Sequence, residues 1–177
     1  MTTALLVIDV QTALCTGPHA AWDVERVIDR INVVSARARA AGAPVFMIQH
    51  EGDGFVVGSY PWTLWERLTT NEGDISVRKT ATDSFHHTEL HALLEDRGVT
   101  DLVVCGLQSD FCVDTTVRRA LALGYPIQLV EDGHSTVSNG LLDAEQIVAH
   151  HTLTLANIGS FGVRVKPTRA EAVRFDD

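Results

Sequence analysis

The chain has little of what marks several large classes of protein. Three cysteines, Cys15, Cys105 and Cys112, stand in 177 residues without a C-x-x-C pair, too few and too irregular for a disulfide framework. Basic charge is scarce: 14 Lys and Arg against 23 Asp and Glu give a net charge of -9. A surface of that sign is repelled by phosphate backbones and anionic membranes, so neither nucleic acid nor membrane partners are expected. No apolar run approaches the roughly 20 residues of a spanning helix. The N-terminus lacks a basic segment leading into an apolar stretch and a small-residue cleavage site, and a cytoplasmic protein is expected. No internal repeat and no low-complexity tract occurs. What remains, 45% hydrophobic and 21% charged residues, suits a single domain over 1–177 that buries about 70% of its unfolded surface.

Residues 4–9, ALLVID, form an apolar run without polar alternation, as a strand covered on both faces reads, and it ends on Asp9. From Asp23 the apolar residues Val24, Val27, Ile28, Ile31 and Val34 recur at helical spacing, with Gly42 as the stop. A second apolar run, PVFMIQ, starts at Pro44, and a third, weaker strand covers 75–79 and ends on Lys79. Residues 51–73 show no period and hold four glycines with Trp62 and Trp65, which suits a loop over a pocket. Thr88 can cap a helix whose inner face is Leu90, Leu93 and Leu94. The strand DLVVCG at 101–106, a helix over 112–123, the strand PIQLVE, a helix from Leu141 or Leu142 and a short strand at 163–165 complete the pattern. Strands alternating with helices predict a three-layer α/β/α domain around a doubly wound, six-stranded, mostly parallel sheet in the order 3-2-1-4-5-6.

In that order the carboxyl ends of strands 1 and 4 flank the switch point where such folds place their sites. Asp9 and the segment 106–112 lie there, and a Lys79 side chain of about 6 Å can reach across from strand 3. Cys112 at a helix start beside a cation is expected to have a lowered thiol pKa. Asp9 is placed to move its proton. Each residue alone has a blander reading: a turn-forming acid, a solvated strand-end Lys, a buried small Cys. Cys105, inside LVVCG, keeps that reading, and Cys15 has no assigned role.

Other classes fit poorly. No G-x-G-x-x-G follows the first strand, where IDVQTALCTG stands, which disfavours a dinucleotide site. A phosphoacceptor receiver domain needs an Asp where Lys79 stands. The histidines are poorly arranged for zinc: His86 and His87 are neighbours, and His150 and His151 point about 100° apart on one helix. His151 falls on the apolar stripe of that helix and reads as a core or interface residue.

The combination Asp9-Val10-Gln11, then Lys79 before Asp83-Ser84-Phe85 and Thr88-x-Leu90, then Gly106-Leu107-Gln108-Ser109-Asp110-Phe111-Cys112-Val113 resembles the isochorismatase-like cysteine hydrolases over nearly the whole chain. The resemblance implies a catalytic triad of Asp9, Lys79 and Cys112, with the N–H groups of Gln108 and Cys112 as the oxyanion hole and a cis peptide at Leu107–Gln108. It implies hydrolysis of an amide-type C–N bond in a small molecule, without cofactor, by a homodimer or homotetramer. Alternatives within the fold are vinyl ether hydrolysis, as in the isochorismatases themselves, and a catalytically silent oligomeric relative. Gln11, Leu14, His50, Trp62, Trp65 and Phe85 are the candidate pocket residues. The family more often has Thr at Ser109 and an aromatic at Leu14. The Asp-x-His metal motif of the nicotinamidases is absent from Gln49-His50-Glu51-Gly52-Asp53, and no metal is expected.

Overall fold

A computed structural model describes residues 2–175. Six strands form one sheet: β1 (Thr2–Ile8), β2 (Val45–His50), β3 (Ile75–Lys79), β4 (Val99–Leu107), β5 (Ile127–Ser135) and β6 (Val165–Thr168). Their order is β3-β2-β1-β4-β5-β6, and every neighbouring pair is parallel. The helices are α1 (Thr12–Cys15), α2 (Val24–Ala40), α3 (Leu90–Glu95), α4 (Asp114–Ala122) and α5 (Ala144–Ala156).

The unbroken apolar run of β1 follows from its central place. Leu5 and Val7 face α2, while Ala4, Leu6 and Ile8 face α3, α4 and α5, so alternate residues enter two different cores. Gly106 lets β4 pass close to β1: its φ is +121°, and a Cβ there would lie 2.1 Å from the Ile8 carbonyl oxygen.

Four boundaries differ from the sequence pattern. The helix expected at 112 begins three residues earlier, because a π-helical turn, Ser109–Val113, precedes α4. Cys112 therefore sits inside the first turn. The α5 helix starts at Ala144, where Asp143 and Gln146 form a reciprocal capping box that a hydrophobic pattern does not register. The α3 helix spans six residues with Glu89 at its N-cap; Thr88 Oγ1 accepts the Leu90 N–H at 3.3 Å from one position further out. The last strand lies at Val165–Thr168, because its pairing with β5 begins at Ile127–Val165. No described helix is long and apolar enough to cross a membrane.

Candidate active site

Parallel strands end together, so the residues that follow β1, β2, β3 and β4 share one edge. The register places Ile8 beside Ile48 and Gly106, and His50 beside Lys79. Asp9 leaves β1 with a φ of +49°, a conformation Asp tolerates better than most residues. Lys79 reaches across two strands, and its Nζ donates to Asp9 Oδ2 at 2.7 Å and to Cys112 Sγ at 3.2 Å. Asp9 and Lys79 are each only 1% exposed, so this ion pair is removed from water. The other carboxylate oxygen, Asp9 Oδ1, is buried with no hydrogen-bond partner among the described residues.

Two further polar atoms stand near the ammonium: the Ala81 carbonyl, which accepts at 3.1 Å, and His50 Nδ1 at 3.3 Å. Burial, then the Lys79 charge, push the His50 pKa down, which favours the neutral ring. The expectation of a lowered Cys112 pKa is corrected. Burial first and the Asp9 charge second push that thiol up to about 12, against the opposing pull of Lys79. Burial thus favours the protonated form of the Cys112 thiol, which faces Asp9.

The Leu107–Gln108 peptide is cis. The N–H groups of Gln108 and Cys112 belong to the turn where helix donors lack intrahelical acceptors. Phe111 and Val113 N–H both return to the Gln108 carbonyl. Ser109 Oγ meets His134 Nδ1 at 2.7 Å, and His134 Nε2 meets Thr152 Oγ1 at 3.0 Å, a buried link from the nucleophile turn to α5. Sequence reading misses this link, since its members lie far apart in the chain. Its only local trace is a polar His134-Ser135-Thr136 run at the end of an apolar strand.

Of the pocket candidates, His50 reaches Lys79, and the Trp62 carbonyl accepts from the side-chain amides of Gln11 and Gln49 at 2.9 and 3.0 Å. The indole N–H of Trp62 is buried without a partner among the described residues. Gln11 is fully buried. Its side chain is consumed by the backbone, accepting from His50 N–H at 2.8 Å and donating to the carbonyls of His50 and Trp62 at 3.0 and 2.9 Å. Trp65 is buried in the core beneath α2, and Leu14, on α1, packs partly buried against the same core. Phe85 is buried in the opposite core, stacked on Tyr125 with 6.4 Å between ring centroids. His151 is polar-partnered rather than a core residue: its Nδ1 lies 3.0 Å from Asp114 Oδ1.

Asp9, His50 and Cys112 offer ligand atoms within 4.8 Å of one another, the one such metal-capable set among the described residues. Lys79 Nζ lies within hydrogen-bond distance of all three, so an ion there would have to displace the ammonium. A groove of about 590 Å³ between α2 and α5, lined by Trp22, Val148 and Leu153 among others, contains none of the three triad residues. Concavity alone does not mark the reactive edge.

A parallel sheet in this order with a Cys-Lys-Asp cluster at the carboxyl ends defines an α/β protein built for chemistry at the switch point. A family model described as Isochorismatase domain matches residues 3–158, and the chain belongs to the isochorismatase family. It is 45% identical over 136 residues to a streptothricin hydrolase of Streptomyces noursei, covering 75% of this chain and 49% of that one. The chain thus spans about half the length of that relative. A ureidoacrylate amidohydrolase of Methylobacterium radiotolerans is 30% identical over 200 residues, covering 90% of this chain and 74% of that one. The crystal structure of an isochorismatase from Pseudomonas putida KT2440 matches with a TM-score of 0.86 at 30% identity, covering 97% of this chain and 90% of that one.

Proposed function

We propose that this protein is a cysteine hydrolase that cleaves an amide-type C–N bond of a small molecule through Cys112, Asp9 and Lys79. The observation that carries the reading is a single ammonium, Lys79 Nζ, within hydrogen-bond distance of both a buried carboxylate and a partly buried thiol. The names of a streptothricin hydrolase and a ureidoacrylate amidohydrolase among the relatives support the same class of chemistry.

Cys112 Sγ stands within 4.8 Å of an Asp9 carboxylate oxygen, and Asp9 Oδ1 is free to take the thiol proton. The thiolate so formed attacks the substrate carbonyl while Lys79 balances its charge. The N–H groups of Gln108 and Cys112 receive the developing oxyanion, an interaction worth about 3 kcal/mol per donor. Asp9 then returns the proton to the departing amine, and water, activated by the same carboxylate, releases the acyl group from sulfur. A thiol protonated at rest fits this order, because Asp9 removes its proton before sulfur attacks. The assembly belonging to this reading is a homodimer or homotetramer, checked by light scattering.

The test is a screen for ammonia release from small primary amides and ureido compounds, with mass spectrometry on enzyme quenched during turnover. An acyl adduct on Cys112 is expected. Turnover of isochorismate with no adduct, and no release from any amide, would replace this reading with vinyl ether hydrolysis.

A further inference from the structure

Lys79 has more acceptors around its ammonium than it has hydrogens to give. An ammonium carries three N–H donors, yet four acceptors stand within reach of Nζ: Asp9 Oδ2 at 2.7 Å, the Ala81 carbonyl at 3.1 Å, Cys112 Sγ at 3.2 Å and His50 Nδ1 at 3.3 Å. The first is short and charge-assisted, and the second is main chain. The remaining hydrogen is contested by the Cys112 sulfur and the His50 ring nitrogen.

Which of them holds it depends on the protonation of sulfur. A neutral thiol is a weak acceptor and an imidazole nitrogen a good one, so with Cys112 protonated the third N–H belongs to His50. Lys79 can only donate, which requires Nδ1 to be the unprotonated nitrogen and puts the ring proton on Nε2. A thiolate reverses the order, since an anionic acceptor outranks a neutral one.

We propose that His50 is a positioning residue that holds the third Lys79 N–H away from sulfur in the resting site and yields it to the thiolate as the nucleophile forms. The proposal rests on the reading of Cys112 as nucleophile and adds to it a control over when the cation reaches sulfur. The balance is simple. The thiol proton moves from Cys112 to Asp9, Lys79 stays an ammonium, and one hydrogen bond to His50 is exchanged for one to sulfur. The titratable and charged groups facing this exchange are Asp9 after β1, His50 and Glu51 at the end of β2, Lys79 from β3 and Cys112 from the π-helical turn. Phe55 meets the His50 ring edge-on, with centroids 5.6 Å apart.

The experiment follows alkylation of Cys112 by iodoacetamide as a function of pH in the full chain, with the modified site read by mass spectrometry. His50→Phe keeps a ring against Phe55 but removes the acceptor. The third N–H then already faces sulfur, and alkylation near neutral pH should be about tenfold faster, the pH profile moving down by about one unit. His50→Asn offers a carbonyl oxygen in place of Nδ1 and should restore the wild-type profile. An unchanged or slower rate in His50→Phe, or no restoration by Asn at wild-type urea stability, overturns the proposal. A second measurement needs no substitution: ¹⁵N NMR of labelled histidine should show His50 with Nδ1 unprotonated and hydrogen-bonded, and a protonated Nδ1 in the neutral ring overturns it. If wild-type Cys112 alkylates no faster than Cys15 at any pH, the nucleophile reading itself fails and takes this proposal with it, whatever the tautomer.

Discussion

The middle of β4 and the turn at its carboxyl end each hold a cysteine whose thiol burial pushes up, and only one of them faces charged side chains. Cys105 lies inside the sheet, its thiol raised by burial alone, and its one hydrogen bond is a weak one to the Leu6 carbonyl at 3.6 Å. Cys112, one turn beyond the strand, is raised by burial as well, but it faces Asp9 and Lys79. Cys15 reaches about 12 by burial with no charged partner. Burial therefore does not distinguish the three thiols. A base with a free oxygen and a fixed cation does, and both require the place where strands stop and side chains from several of them meet.

The comparison breaks most visibly if the nucleophile is removed. Cys112→Ala should abolish amide hydrolysis, whereas Cys105→Ala should leave the rate unchanged and cost only about 1 kcal/mol of stability; ammonia release and urea unfolding read the two. Equal activity of the two variants would erase the distinction. Asp9→Asn keeps the shape of the site but cannot take the thiol proton, and the rate should fall by roughly 10² to 10⁴-fold in the same assay.

Lys79→Met sharpens the contrast through stability. It leaves the Asp9 carboxylate buried without its counter-charge, a change that costs about 3–5 kcal/mol, and the urea midpoint should drop accordingly. A surface lysine would show no such loss.

The smallest effect concerns the polar link behind the turn. Burial first and His151 second lower the His134 pKa from 6.5 to about 4. The unfolded chain then takes up the proton first, so this contribution is full above pH 6.5 and is lost as pH falls from there toward 4. The loss should amount to about 3 kcal/mol, read as the difference between wild-type and His134→Gln urea curves across that window. Parallel curves would count against a buried neutral His134.

Much of this architecture was legible before any coordinates. The apolar run ending on Asp9, the strand ending on Lys79 and the strand leading to Gly106 carry their own register, because a parallel sheet covered on both faces needs uninterrupted apolar strands and exposes functional groups only where they end. The burial of the pocket candidates was not legible for a matching reason. Trp65 and Phe85 are large and apolar, and nothing in a loop sequence says whether such a side chain lines a cavity or fills a core. Gln11 looks like a ligand contact until its amide is seen closing the main chain around His50. The π-helical turn and the capping box at Asp143 rest on hydrogen bonds that hydrophobic spacing does not encode.

By itself the sequence carried the strands and helices, the family to which the chain belongs and the three residues that meet at the switch point, since local periodicity marks the elements and short motifs carry the family resemblance; the strand order was an expectation from the doubly wound class. Tertiary structure alone decided that four polar atoms stand within reach of the three Lys79 hydrogens, that Asp9 Oδ1 has no hydrogen-bond partner among the described residues and that burial pushes the Cys112 thiol pKa up. Those properties depend on distance and on exclusion of water, which arise only when residues 70 and 33 positions apart are brought together.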